Sequence, residues 1–81
     1  MRPELPRIYF DTNACDEDGR YWLSLAGCLP DIERLGDTLH PGMRVILYMT
    51  DELEVEATLE WDEVHQRWLG CPDWDTIHHL Q

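Results

Sequence analysis

Leu53-Glu54-Val55-Glu56-Ala57-Thr58-Leu59-Glu60-Trp61-Asp62 is the stretch whose reading decides the fold. Its odd-numbered side chains are all apolar and its even-numbered ones all polar, the period of a strand with one face buried. Just upstream, Met43, Val45, Leu47 and Met49 alternate with Arg44, Ile46, Tyr48 and Thr50, and the turn residues Thr50 to Glu52 separate the two runs. The two runs form a hairpin, and pairing that keeps the apolar faces together must set odd positions against odd. The expected register places Met49 beside Val55, Leu47 beside Ala57, Val45 beside Leu59 and Met43 beside Trp61, with Arg44 opposite Glu60 on the outer face. A second hairpin follows, with Asp62 to His65 as the connection and Gln66 to Cys71 as the returning strand. Here Leu59 meets Trp68, Ala57 meets Gly70 and Glu60 meets Arg67. Gly70 leaves a shallow place where another layer can approach closely.

Outward from this frame, Ile8-Tyr9-Phe10 is a β-prone run ending at Asp11, and Asp11 to Gly19 is a polar turn. Arg20 to Cys28 resumes the alternation with Tyr21, Leu23 and Leu25, so these two runs are expected to form another hairpin. Pro30 at a first helical position, Asp31 and Glu33 in the first turn and Gly36 as a stop predict a short helix with Ile32 and Leu35 facing inward. Pro41-Gly42 suits a type II turn into the main hairpin. Pro72-Asp73-Trp74-Asp75 ends the last strand, and Trp74, Ile77 and Leu80 recur at near-helical spacing, predicting a terminal 3₁₀ or helical turn that closes one open end of the sheet. Met1 to Pro6 reads as a flexible lead, and residues 7–81 as a single small β domain. The expected fold is mainly β: a five-stranded antiparallel SH3-like barrel with a helical insert and the terminal turn. A flat sheet covered on one face by the two helical pieces is the alternative.

The chain has 81 residues, 43% of them hydrophobic, and four tryptophans that so small a domain is expected to use in its core. Its net charge of −11 argues against nucleic acid and against an anionic membrane, and makes a protein with a basic surface the natural complement. Cys15, Cys28 and Cys71 are odd in number and lack Cys-x-x-Cys spacing, so a disulfide framework is not expected and a reducing cytoplasm fits. No apolar signal segment or membrane-length run is present, which fits a soluble, unprocessed protein.

Asp11, Asn13, Asp16 and Asp18 form an oxygen-rich loop of the kind that holds calcium, but the glycine falls too late for the EF-hand pattern. Trp22 stands where a closing glutamate would. The competing reading is a hairpin turn in which Asp and Asn bond their own backbone. The row Glu52, Glu54, Glu56, Glu60 and Asp62 on the outer face offers a docking surface; an open face supplies no pocket to separate carboxylate pKa values for catalysis. Cys15, Cys28, Cys71 and a histidine would have to assemble from distant positions to hold zinc, and no nucleophile elbow or phosphate loop is present. Trp22, on the face opposite Tyr21, and Tyr48, among the polar positions of its strand, are the aromatic candidates for a peptide contact.

The segments Ile8-Tyr9-Phe10-Asp11-Thr12-Asn13, Asp18-Gly19-Arg20, Gly42 to Tyr48 and Asp51 to Ala57, with Trp68 and Asp73-Trp74, together resemble a family of short, uncharacterised bacterial proteins. The resemblance implies a bacterial, stand-alone, cytosolic protein. It carries no activity, so no functional residue follows from it. The residues themselves favour a non-catalytic protein-interaction module without a cofactor, using Trp22, Tyr48, Glu54, Glu56 and Glu60. The alternatives are a calcium-binding or metal-dependent protein built on the Asp11 to Gly19 loop, and a homodimer joined through an open sheet edge or the Trp22 face.

Overall fold

The structure, a computed structural model, describes residues 5–79. The alternating run becomes the ten-residue strand β4 (Leu53–Asp62), paired antiparallel with β3 (Arg44–Met49) on one side and β5 (Arg67–Pro72) on the other. Val55, Ala57 and Leu59 point into the core as the alternation requires, together with Val45 and Leu47 from β3.

The first hairpin sets odd positions against odd and the second sets odd against even, as expected, yet each is shifted by two residues from the expected register. Met49 faces Leu53, Leu47 faces Val55 and Val45 faces Ala57. The cause is the turn: Asp51 adopts a left-handed φ of 60°, and the Glu52 amide donates to the Met49 carbonyl at 3.0 Å, so Thr50 to Glu52 suffice to reverse the chain. In the second hairpin Leu59 faces Gly70, Trp61 faces Trp68 and Asp62 faces Arg67. Its turn is organised by Asp62, whose Oδ1 accepts from the amides of Val64 and His65 at 3.1 and 3.3 Å, with Gln66 left-handed at φ 55°. A two-residue shift keeps every side chain on its face, so face matching leaves it open and turn chemistry decides. Arg44 therefore lies opposite Thr58, and Arg67 opposite Asp62; neither faces Glu60.

The larger correction concerns β1 (Arg7–Tyr9) and β2 (Tyr21–Trp22), which do not pair as a hairpin. β1 runs parallel to β3, with Ile8 beside Leu47, and β2 runs antiparallel to β5, with Tyr21 beside Gly70. The order β1-β3-β4-β5-β2 places them at opposite edges of one sheet, and the Asp11 to Gly19 loop spans from one to the other. The sheet is thus a curled, open half-barrel with one parallel pair, instead of a closed antiparallel barrel. The curl can be read at Gly70. A Cβ built there would lie 2.7 Å from Leu47 Cδ1, although β4 separates the two strands. Strands two apart in a flat sheet stand roughly 9–10 Å from each other. The shallow place at Gly70 is filled from within the same sheet, and the rings of Phe10 and Tyr21 meet edge-on across the hollow at 5.2 Å.

β2 stops at Trp22 because the Leu25 carbonyl accepts from the amides of Cys28 and Leu29, at 2.9 and 3.2 Å, which starts helix α1 (Leu29–Leu35). Cys28 consequently lies at the helix N-terminus, fully buried, and not in a strand. Ile32 and Leu35 pack inward as expected, and Gly36 ends the helix at φ 45°. The 3₁₀ turn Trp74–Thr76 forms where expected, with the Trp74 ring edge-on to Tyr21 at 5.9 Å and Ile77 packed against the core. It is hung on β4 by bonds from the Asp73 amide to the Glu56 carbonyl (2.8 Å) and from the Glu56 amide to Thr76 Oγ1 (2.9 Å). From there the chain passes to β6 (His78–His79), beside Leu53 and Glu54. Leu80, expected to join that turn, and Met1 to Glu4 of the lead lie outside the described residues.

The tryptophans do not build the core. Its fully enclosed side chains are led by Phe10, Ile8, Leu23, Leu47 and Leu59, while Trp61 and Trp74 remain 38% and 45% exposed. Among the described residues no helix is long and apolar enough to cross a membrane.

Candidate functional site

Asp11 to Gly19 is held by its own backbone. Asp11 Oδ1 accepts from the Asn13 amide at 2.8 Å, and Asp16 Oδ1 accepts from the amides of Asp18 and Arg20 at 2.9 Å each. Arg20 then reaches Asp18 Oδ2 at 2.7 Å and stands 3.6 Å from Asp16 Oδ2. Of the four proposed calcium ligands Asp11, Asn13, Asp16 and Asp18, the Asp11 and Asp16 carboxylates thus serve backbone amides, and Asp16 and Asp18 face the Arg20 guanidinium. Among the described residues no three His, Cys, Asp or Glu side chains converge as a metal donor set. Cys15, Cys28 and Cys71 carry free thiols in three different settings.

The acidic row of β4 is a ladder of ion pairs. Arg7 pairs with Glu54, Arg44 with Glu56 at 3.1 Å, Arg20 with Glu60 at 2.9 Å and Arg67 with Asp62 at 3.2 Å. The six basic residues of the chain are all arginines. Each of the five in the described region meets a carboxylate, the fifth being Arg34 with Asp31. Exposed pairs of this sort are worth roughly 0.2–1 kcal/mol each, so the effect on charge is larger than the effect on stability. Glu54, Glu56 and Glu60 form a balanced face and not a bare anionic one.

The aromatic candidates are likewise covered. The Arg7 guanidinium lies 4.7 Å over the Tyr48 ring, whose hydroxyl donates to Asp31 Oδ2 at 3.1 Å. The Arg67 guanidinium lies 4.8 Å over Trp22, whose indole Nε1 is buried without a hydrogen-bond partner among the described residues. The β1 edge is blocked by α1: Asp31 Oδ2 accepts from the Tyr9 amide at 2.9 Å, and Arg34 Nη2 donates to the Arg7 carbonyl at 3.2 Å. This helical pair satisfies the groups that a neighbouring strand would otherwise take. Burial pushes the Asp31 carboxyl up, but Arg34, the Tyr9 amide and the Tyr48 hydroxyl outweigh it and hold it below the usual value.

What remains open is the mouth of the half-barrel. Between the segment from Leu23 to Ile32 and the β4–β5 hairpin lies a cleft of about 240 Å³, lined by Leu23, Leu29, Ile32, Trp61 and Trp68, with Ser24, Gln66 and Arg67 at its border. The rings of Trp61 and Trp68 meet edge-on at 5.0 Å and form one wall. Leu29 is 42% exposed at the lip, and Val64, at the hairpin tip, is 85% exposed. A wider polar hollow of about 530 Å³ shares Trp61 with this cleft and is lined also by Trp22, Glu63 and Val64, with Glu60, Asp62 and Arg67 paired with one another or with Arg20.

Comparison of the chain with protein-family models, with curated proteins and with solved structures finds no match. The sequence reading missed the cleft because Trp61 sits on the apolar face of its strand, where a core role is the default. The signal that locates it is position: Trp61 is the last apolar residue before the turn, and the curl leaves that end of the hollow uncovered.

Proposed function

We propose that this chain is a small, non-catalytic protein-interaction module that docks its partner at the mouth of the half-barrel. The observation that carries this reading is the exposed lip of Leu29 and Trp61 over an apolar cleft, whereas Trp22, Tyr48, Glu54, Glu56 and Glu60 are engaged within the chain. A hollow of about 240 Å³ takes one large side chain and falls below the roughly 300–1,000 Å³ of small-molecule pockets, which favours a protein segment over a cofactor. An aromatic pair beside aliphatic residues is the composition of an interaction hot spot. An SH3-like kinship is offered in the same spirit, resting on the strongly curled meander followed by a 3₁₀ turn. The cytoplasm is the proposed compartment, on the free thiols.

Affinity purification from the source cells with three forms of the protein tests the reading. The wild type and a Glu54→Gln/Glu60→Gln variant should retain the same partner, and a folded Leu29→Asp/Val64→Asp variant should lose it. Loss with the outer-face variant alone would move the docking site to β4.

A further inference from the structure

Resting on that docking reading, we infer that the cleft accepts the apolar side chain of a basic segment of another protein, an aliphatic or aromatic anchor flanked by arginine or lysine. The inference comes from the excess of negative charge on a chain whose arginines in the described region are all committed, and from the carboxylates nearest the cleft. Along β4 the carboxylates Glu54, Glu56, Glu60 and Asp62 each have an arginine partner. Near the mouth two carboxylates lack such a partner, as do Asp11, Glu17, Asp37, Asp51, Glu52 and Asp75 elsewhere among the described residues. Glu33 stands one helical turn from Leu29, on the same exposed face of α1, and Glu63 precedes Val64 at the hairpin tip. Neither has an arginine partner among the described residues; Glu63 accepts only the Gln66 amide, at 3.0 Å. Arg67, the cation at the border of the cleft, is bound to Asp62 and stacked on Trp22. Glu33 therefore stands beside Leu29 at the lip of the cleft, and Glu63 lies on the adjoining polar hollow, across the Trp61 ring that lines both.

The remaining charge narrows the occupant. A second copy of the chain would bring another −11, and no basic residue of the described region is unpaired to offset it. An anionic membrane or a nucleic acid meets the same repulsion. A cationic segment with one apolar anchor meets an apolar cleft with Glu33 beside its lip and Glu63 beyond Trp61, on a chain of net negative charge, the arrangement that raises association rate and selects partners by charge.

The test uses the intact chain labelled with nitrogen-15 and two synthetic ten-residue peptides. One carries a central leucine-tryptophan pair flanked by arginines and lysines, and the other carries the same pair flanked by aspartates and glutamates. Saturable shifts of the Trp61 and Trp68 indole signals with the basic peptide, absent with the acidic one, are expected. The Glu33→Gln/Glu63→Gln variant should weaken binding by roughly 2- to 10-fold, as should raising salt to about 0.5 M. Equal binding of both peptides in the cleft would overturn the charge selection and leave docking at the mouth intact. Shifts confined to the outer face of β4, or none with either peptide, would overturn both.

Discussion

Gly70→Ala converts the curl of the sheet into a sign. Gly70 has no left-handed φ to protect, so alanine costs nothing in backbone geometry and removes freedom from the unfolded chain, a gain of about 0.4–1 kcal/mol in an open site. This site is not open. The new Cβ would lie 2.7, 3.3 and 3.5 Å from Leu47 Cδ1, Cδ2 and Cγ, and Leu47 is fully enclosed. Its whole side chain must move against neighbours that have no room, an overpacking that costs about 1–3 kcal/mol. The net expectation is a loss of roughly 0.5–2 kcal/mol, or several degrees in melting temperature for a domain of this size. Urea titration followed by tryptophan fluorescence measures it, and the double variant with Leu47→Ala identifies the cause. Leu47→Ala alone should cost about 2–5 kcal/mol, and the pair should cost less than the sum of the singles by at least 0.5 kcal/mol. A stabilised Gly70→Ala protein, or strictly additive effects, would mean that β3 does not reach β5 and that the sheet is flat.

Other expectations follow from the same geometry. Asp31→Asn should cost about 1–2 kcal/mol at neutral pH, because it weakens the bonds from Tyr9, Tyr48 and Arg34. The folded carboxyl titrates below its unfolded value of about 3.9, so its contribution is complete above that value and is lost as pH falls through the lower one; the gap between wild type and variant should hold above about pH 4 and close only below the folded carboxyl's own titration in acid-unfolding curves. Millimolar calcium should leave the melting temperature and the Asn13 to Gly19 amide signals in place, since Asp16 and Asp18 already serve amides and Arg20. Cys28, fully buried and with its thiol pushed up by that burial, should be alkylated by iodoacetamide only through unfolding, well after the partly exposed Cys15, as peptide mass mapping would show.

The meander β3-β4-β5, the helix at Pro30 to Leu35 and the 3₁₀ turn at Trp74 were legible because periodicity, caps and turn residues all act locally. Register was legible only to within two residues. Face matching is blind to an even shift, and the left-handed conformations of Asp51 and Gln66 that decide it leave a weak trace in composition. The parallel β1–β3 pair was not legible at all. The run Ile8 to Phe10 says strand but not which neighbour, and the choice depends on a loop long enough to cross the hollow and on Tyr9 meeting Asp31. For the site, residue type misled in both directions. Glu54 to Asp62 look like a bare acidic face until Arg7, Arg20, Arg44 and Arg67 arrive from four separate segments. Trp61 looks like core until the curl leaves its end of the sheet open.

Site-specific photo-crosslinking in the cells that make the protein addresses docking at the mouth most directly. A photoreactive residue in place of Leu29 or Val64 should join the chain to one distinct partner, while the same group in place of Glu54 or Thr58 on the outer face should not. Adducts formed only from the outer-face positions, or only between copies of this chain, would contradict a docking site at the mouth of the half-barrel.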